Sequence, residues 1–508
     1  MNTFMNALNN ENNFKHTENG AVAKKSTMSK LYDLFALGGA YRTRSESDCV
    51  LLFKEAFDED ISYAMKCLTY LRDIAAGQGE RRFFRLCLRW LGNNHPEVVK
   101  RNMLIWVEGN YIRWDDLFVL LNTPAEQAMI DLIHAQLTTD MIAYRAGEKT
   151  PVSLCAKWMP SENTSSIETR RMARIFMKAM SLTPREYRKM LSMLRERANI
   201  VERLMSQNKW EEIEFDKLPS RAGLIYRNAF KNRAEIAEKY REFMQSKETK
   251  VNAKTLYPYD VVKAAREVAY RTSLTDTERL AVNKYWDNLT DYFNGATLNA
   301  MVVCDTSGSM CSGAGSVAPI DVAISLALYT AERAKGPFAN NYISFSREAR
   351  LIKTDGVDFC DKVNRICRTN LCQNTNLESV FSLVISTAMW YNVKPEDMPQ
   401  TLIIISDMEV DSATGYNGWD YTHRFNGESF MTTMRHTWES LCKGEYKFPN
   451  LVYWNVNARN NTFLEDPNSN ITFISGCSPV LYEQILKGLT AEQLMFDKLD
   501  SDRYKAIH

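Results

Sequence analysis

Between Ser45 and about residue 295, apolar side chains recur every three or four positions. Phe53, Phe57, Ile61, Ala64, Leu68 and Leu71 form one such stripe, the spacing of helices that bury a single face. Asp58-Glu59-Asp60 divides this stripe into two helices, because acidic side chains favour a helix N-terminus. Ala75-Ala76-Gly77-Gln78-Gly79 reads as a turn, Glu80 to Trp90 as the next helix, and Pro96 occupies a first-turn position of the one after. The same grammar, helices between short Gly, Pro, Asn or Asp breaks, continues without strand-like alternation. Residues 26–296 are therefore expected to be an all-α domain of stacked helix pairs. It is preceded by a polar, Asn-rich arm over residues 1–25 that reads as flexible.

At Leu298 the grammar changes. Ala300-Met301-Val302-Val303-Cys304 is a short apolar run suited to a buried parallel strand. Ala318 to Ala334 reads as a helix, and Tyr342–Phe345 with Ala349–Ile352 as a hairpin. Helices follow at Asp358 to Arg368 and Leu377 to Tyr391, then a strand from Thr401 that ends at Asp407. The helix Glu428 to Cys442, strands Leu451–Val456 and Asn470–Ser475, and closing helices from Pro479 complete the chain. Alternating strands and helices predict a doubly wound, Rossmann-like α/β domain over residues 297–508.

The chemistry concentrates where the first of these strands stops. Asp305, Ser307 and Ser309 alternate with Thr306 and Gly308, so one carboxylate and two hydroxyls point at one spot. Oxygen ligands of low charge suit a hard divalent cation such as Mg2+, and open α/β sheets place their sites at this edge. Alone, this pattern could also be a turn with Ser caps, the less favoured of the two readings. Thr375, in Asn374-Thr375-Asn376 before a helix, and Asp407, at the end of a second buried strand, complete a set of five. Together, Asp305, Ser307, Ser309, Thr375 and Asp407 resemble the metal-ion-dependent adhesion site (MIDAS) of von Willebrand factor A domains.

Charge changes the picture in the helical half. The chain is nearly neutral overall, but the part from residue 298 onward carries a net −6 and the part before it +7. The excess lies between Arg145 and Arg233, where 19 Lys and Arg face 10 Asp and Glu. Such clustering fits a polyanion partner, with solvated helix faces as the plainer explanation of any one pair. The 11 cysteines form no regular framework, so they are expected to be reduced thiols of a cytoplasmic protein. Cys360, Cys367 and Cys372 lack the spacing of a zinc site. The N-terminus has no apolar core of a signal peptide, and no stretch reaches the roughly 18 apolar residues of a membrane span.

Several motifs of the helical half add a resemblance. Leu31-Tyr32-Asp33-Leu34-Phe35 with Gly38-Gly39, Leu71-Arg72-Asp73-Ile74 running into Gly77-Gln78-Gly79-Glu80-Arg81, and Gly109 to Leu117 occur in order. They are followed by Ala156 to Asn163, Leu218-Pro219-Ser220-Arg221-Ala222 and Tyr226-Arg227. With the metal-site pattern, the chain resembles the Ro autoantigen (TROVE) family, and its layout is similar to that of related uncharacterised viral, phage and plant proteins. The resemblance implies a HEAT-like helical solenoid able to close into a ring, joined to a von Willebrand factor A domain, with noncoding RNA as partner. Two departures stand out. Gln373-Asn374 replaces the Gly residues that usually precede the site Thr, and Glu409 and Asp411 are expected to add negative charge to the rim.

The leading functional reading is a non-catalytic, monomeric RNA-binding protein. Arg170, Arg171, Arg174, Arg185, Arg188 and Lys189 are the first candidates for phosphate contact, followed by Arg221, Arg227, Lys231 and Arg233. Trp158, Tyr187 and Tyr226 are candidates for stacking on unpaired bases. The alternative is a metal-dependent adaptor, without RNA, whose cation accepts an acidic residue of a partner protein. There the loop with Tyr416, Trp419 and Tyr421 would supply aromatic contact area. A phosphoryl-transfer enzyme is disfavoured, because Ser307 stands where such an enzyme needs a second Asp. None of His16, His95, His134, His423, His436 and His508 falls in a nucleophile motif either.

Overall fold

The computed structural model describes residues 12–147, 150–198, 200–311, 317–369, 374–412, 429–465 and 470–508. The helical half starts at the helix Lys30–Leu37, capped by the Ser29 hydroxyl on the Tyr32 N–H. Asp60 serves both helices of the first amphipathic stripe: it ends Glu46–Glu59, and its carboxylate caps Ile61–Arg72 through the Tyr63 N–H. Arg81–Asn94 follows, and Pro96 opens Pro96–Glu108, where its missing N–H costs nothing. Consecutive helices pack on one another along this series. Further on, Thr183 and Glu186 form a capping box at the head of Pro184–Arg197.

The α/β half holds a six-stranded sheet. Its strands are β3 (Ala300–Asp305), β4 (Asn341–Phe345), β5 (Ala349–Lys353), β6 (Thr401–Ser406), β7 (Asn450–Asn455) and β8 (Ile471–Ser475). Their order is β5-β4-β3-β6-β7-β8, parallel throughout except for the antiparallel hairpin partner β5. The chain leaves β3 toward β4 on one side and returns through β6 on the other. The crevice between the carboxyl ends of β3 and β6 is thus the point where strand order reverses.

Residues 14–24, expected within a flexible arm, instead form a hairpin of β1 (Phe14–His16) and β2 (Val22–Lys24). Three-residue strands are too short to carry a local pattern. Long-range pairing holds them, with Gly20 bridging to Asp411 and Lys24 to Phe463.

The α/β half is gripped from both ends of the helical half. At one end the hydroxyl of Tyr32 meets Phe473 of β8, the Gly39 N–H donates to the Ser475 hydroxyl at 3.0 Å, and the Tyr504 hydroxyl donates to Asp73 at 3.1 Å. A Cβ on Gly39 would lie 2.8 Å from the Ser475 carbonyl oxygen, so this contact requires glycine. At the other end Arg279 forms a two-pronged pair with Asp358 at 2.7 Å, and Trp286 stacks on Phe359 with ring centres 4.0 Å apart. The motifs Gly38-Gly39 and Gly77-Gln78-Gly79 therefore serve the joint between halves: the Ser478 N–H donates to Gln78.

Candidate functional site

Asp305 is the last residue of β3, and the turn after it is fixed locally. The Thr306 N–H donates to the Phe345 carbonyl at 2.9 Å, and the Ser307 N–H donates to Asp305 Oδ1 at 2.8 Å. That fold-back brings the hydroxyls of Ser307 and Ser309 within 3.1 Å of each other. From the neighbouring strand, Ser406 donates its hydroxyl to Asp305 Oδ2 at 2.5 Å and accepts the Met408 N–H at 3.0 Å. Asp407 follows at once, hydrogen-bonded to Ser309. The Thr375 loop is tied to both sides: the Asn376 N–H donates to the Ser346 carbonyl and the Asp411 N–H to the Thr375 carbonyl. Asp305, Ser307, Ser309 and Asp407 are thus brought together at the β3–β6 crevice, with the Thr375 loop held beside it through Ser346 and Asp411. Asp305, Ser307, Thr375 and Asp407 are at most 2% exposed.

Two buried carboxylates side by side are short of positive charge. Burial, reinforced by the Asp407 charge, pushes the Asp305 carboxyl up to about 7. Burial also pushes Asp407 up, opposed by Arg459. The Arg459 guanidinium lies 3.2 Å from Asp407 Oδ2 but without hydrogen-bond alignment, so among the described residues this buried oxygen has no hydrogen-bond donor. An oxygen-only donor set with an orphaned carboxylate oxygen and excess buried negative charge fits a hard divalent cation. Asp305, Ser307 and Ser309, with Thr375 and Asp407, are the residues that would hold it.

Glu409 is not a rim charge. It is fully buried and accepts from the Glu18 N–H at 2.7 Å, Asn460 at 3.1 Å and Thr462 at 3.2 Å. The hairpin turn it anchors sits against the site. Thr17 donates to the Val410 carbonyl at 2.7 Å, and Asn19 donates to the Glu409 carbonyl at 2.7 Å with its amide 3.5 Å from the Thr375 hydroxyl. Ser406, Arg459, Glu18 and Asn19 carry no motif of their own. Only Ser406, beside Asp407 at a strand end, had a sequence signal that could have been read.

The basic candidates divide. Arg171, Arg174, Arg185 and Lys189 are exposed on Ile167–Ala179 and Pro184–Arg197. With half-buried Arg170, they make no ion pair among the described residues. Arg188 is exposed but pairs with Glu162, and Arg221 lies 4.0 Å from Asp260. Arg227 is buried between Glu267 (2.9 Å) and Glu278 (3.4 Å), and Lys231 holds Asp276 at 2.8 Å. Arg233 covers the Trp210 ring and pairs with Glu235. Arg227 and Lys231 are thus committed within the fold, where a buried cation needs a carboxylate, whereas Arg233 keeps 42% of its side chain exposed. Tyr187 is buried with its hydroxyl on the Pro160 carbonyl, so it is no stacking platform. Trp158 lies under Arg113 and Lys157, and Tyr226 is half-buried.

Among the described residues nine cysteines, Cys360 and Cys367 among them, are free thiols, whereas Cys311 is disulfide-bonded, a departure from the expected uniformly reduced set. No group of three or more His, Cys, Asp or Glu able to hold a metal occurs among the described residues. His436 is exposed on its helix. His423, Cys372, Gln373 and the aromatic loop of Tyr416, Trp419 and Tyr421 lie outside the described residues. No helix among the described residues is long and apolar enough to cross a membrane.

Fold and site together define a protein in which a helical domain carries an α/β domain with a buried cluster of carboxylates and hydroxyls at its strand edge. Residues 299–505 match the family model "Domain of unknown function (DUF7788)", and residues 17–116 and 176–296 match "Domain of unknown function (DUF2828)". An uncharacterized protein of Acanthamoeba polyphaga mimivirus is 29% identical over 486 residues, covering 89% of this chain and 80% of its own. Among solved structures, the chain is similar to the RO (RSR) protein of Deinococcus radiodurans at 12% identity and a TM-score of 0.38, covering 93% of this chain and 99% of that one. None of these similarities assigns an activity to this chain.

Proposed function

We propose that this is a non-catalytic RNA-binding protein whose helical domain holds structured RNA by phosphate contact and whose α/β domain carries a divalent cation, most simply Mg2+. The observation that carries the RNA reading is that Arg171, Arg174, Arg185 and Lys189 are exposed on consecutive helices and lack carboxylate partners among the described residues. Cations left unpaired on consecutive helices are available to phosphates, and their binding is electrostatic and insensitive to sequence. The test is a titration of a structured RNA with a frayed 3′ end at several salt concentrations. With four phosphate contacts the log–log slope is about −3, at ~0.7 per contact on single strands. Affinity indifferent to salt, or no better than that of an acidic control protein, defeats the reading.

A second reading, a metal-dependent adaptor that accepts an acidic residue of a partner protein, is favoured by the meeting of Asp305, Ser307, Ser309 and Asp407, with the Thr375 loop beside them. It predicts partners in a pulldown that are lost on adding EDTA and retained after nuclease treatment.

A further inference from the structure

We infer that the cation site has a built-in occupant: the Thr17–Gly20 turn of the N-terminal hairpin docks over it, and hairpin docking and cation binding strengthen each other. The inference rests on reading the β3–β6 crevice as a divalent-cation site. Three sets of contacts carry it.

The first is direct. The Asn19 amide reaches the Thr375 hydroxyl at 3.5 Å while donating to the Glu409 carbonyl at 2.7 Å. A partner residue approaching over Thr375 would therefore have to displace Asn19.

The second is a shared charge. Arg459 lies between two carboxylates, 3.2 Å from Asp407 in the site and paired through another nitrogen with Glu18 of the hairpin. Asn460 fixes the same arrangement, donating to Glu18 at 3.0 Å and to Glu409 at 3.1 Å.

The third is the backbone. Lys24 and Phe463 exchange hydrogen bonds of 2.7 and 3.0 Å, and Gly20 pairs with Asp411. The hairpin is thus stitched to the segments after β6 and β7 that carry Asp407 and Arg459.

The sign of the coupling follows from charge. A divalent cation at Asp305 and Asp407 competes with Arg459 for Asp407, which leaves the guanidinium to Glu18 and tightens the hairpin. Glu18 in turn adds negative charge beside the cation. Because the two events are linked, each must favour the other by the same factor.

The experiment uses the full chain. Mn2+ affinity is measured by electron paramagnetic resonance for wild type, Glu18→Gln and Asn19→Ala. Hydrogen exchange of residues 12–24 is followed by mass spectrometry with and without saturating Mg2+. The expected results are Mn2+ binding weakened about fivefold by Glu18→Gln, within the usual range of such couplings, and exchange across Thr17–Ala21 slowed by Mg2+ in wild type but not in Asp305→Ala. The Glu18 side chain is 43% exposed and its N–H, not its carboxylate, holds Glu409, so Glu18→Gln keeps the backbone contacts of the hairpin. If wild type binds Mn2+ while hairpin exchange ignores Mg2+ and both variants bind as tightly, the inference is overturned and the cation site stands. If wild type binds no Mn2+, the cation reading and the inference fall together.

Discussion

The hydroxyl of Tyr32 donates to the carbonyl of Phe473 at 2.9 Å and accepts from its N–H at 3.0 Å. β8 is an edge strand, and an unpaired buried edge would leave both groups unsatisfied. A phenol from the first helix of the helical half thus completes the sheet of the other half.

Tyr32→Phe should accordingly destabilise the protein by about 1–3 kcal/mol, because it removes one hydroxyl and strands two backbone groups. Urea unfolding read by circular dichroism checks this. A midpoint equal to that of wild type would mean that water reaches the β8 edge.

Asp116 is fully buried and receives Arg72, Arg81 and Arg85. Burial pushes its carboxyl up, but Arg72, the Arg113 N–H, Arg85 and Arg81 outweigh it and hold it at about 2, below the ordinary 3.8. A depressed carboxylate contributes stability that is complete above the unfolded value and is lost as pH falls through the folded one. Between pH 4 and pH 2 the wild type should lose stability more steeply than Asp116→Asn. At pH 7 the variant should be the less stable, since it leaves buried Arg72 uncompensated. Parallel pH profiles for the two proteins would exclude this role.

Asp305→Asn removes one of two adjacent buried carboxylates. Without added metal it should melt at or above the wild-type temperature at pH 7, because the like-charge burden on Asp407 is gone. With Mg2+ the wild type should gain stability by mass action and the variant should not. A wild-type melting temperature that ignores both Mg2+ and EDTA argues against a resident cation.

Charge reversal separates the two kinds of basic residue. Arg171→Glu with Arg174→Glu should weaken RNA binding at least tenfold and flatten the salt slope while leaving the melting temperature within a few degrees. Arg227→Ala should do the opposite, lowering the melting temperature by removing one of the two cations, Arg227 and Arg271, that flank buried Glu278. Anisotropy titrations and thermal melts on the same preparations decide between them.

The sequence by itself determined what local spacing can encode. The helical stripe with Asp60 at its joint, the apolar strands ending at Asp305 and Asp407, and the hairpin of β4 and β5 were all legible, because periodicity and capping act within a few residues. So was the meeting of Asp305, Ser307 and Ser309 with Asp407, since a doubly wound sheet brings its strand ends together. Tertiary structure alone decided which charges are available. Arg227 and Lys231 look like Arg171 in sequence, yet their carboxylate partners, Glu267, Glu278 and Asp276, come from packing between helices. It also decided the fate of the N-terminal segment: the Glu18 N–H bonds to a carboxylate 391 positions away and Tyr32 to a strand 441 positions away. No local pattern carries such pairings, because burying the polar groups of an edge strand and of a strand-end site creates a demand that any sufficiently close donor can meet, and only the folded chain determines which donor is close.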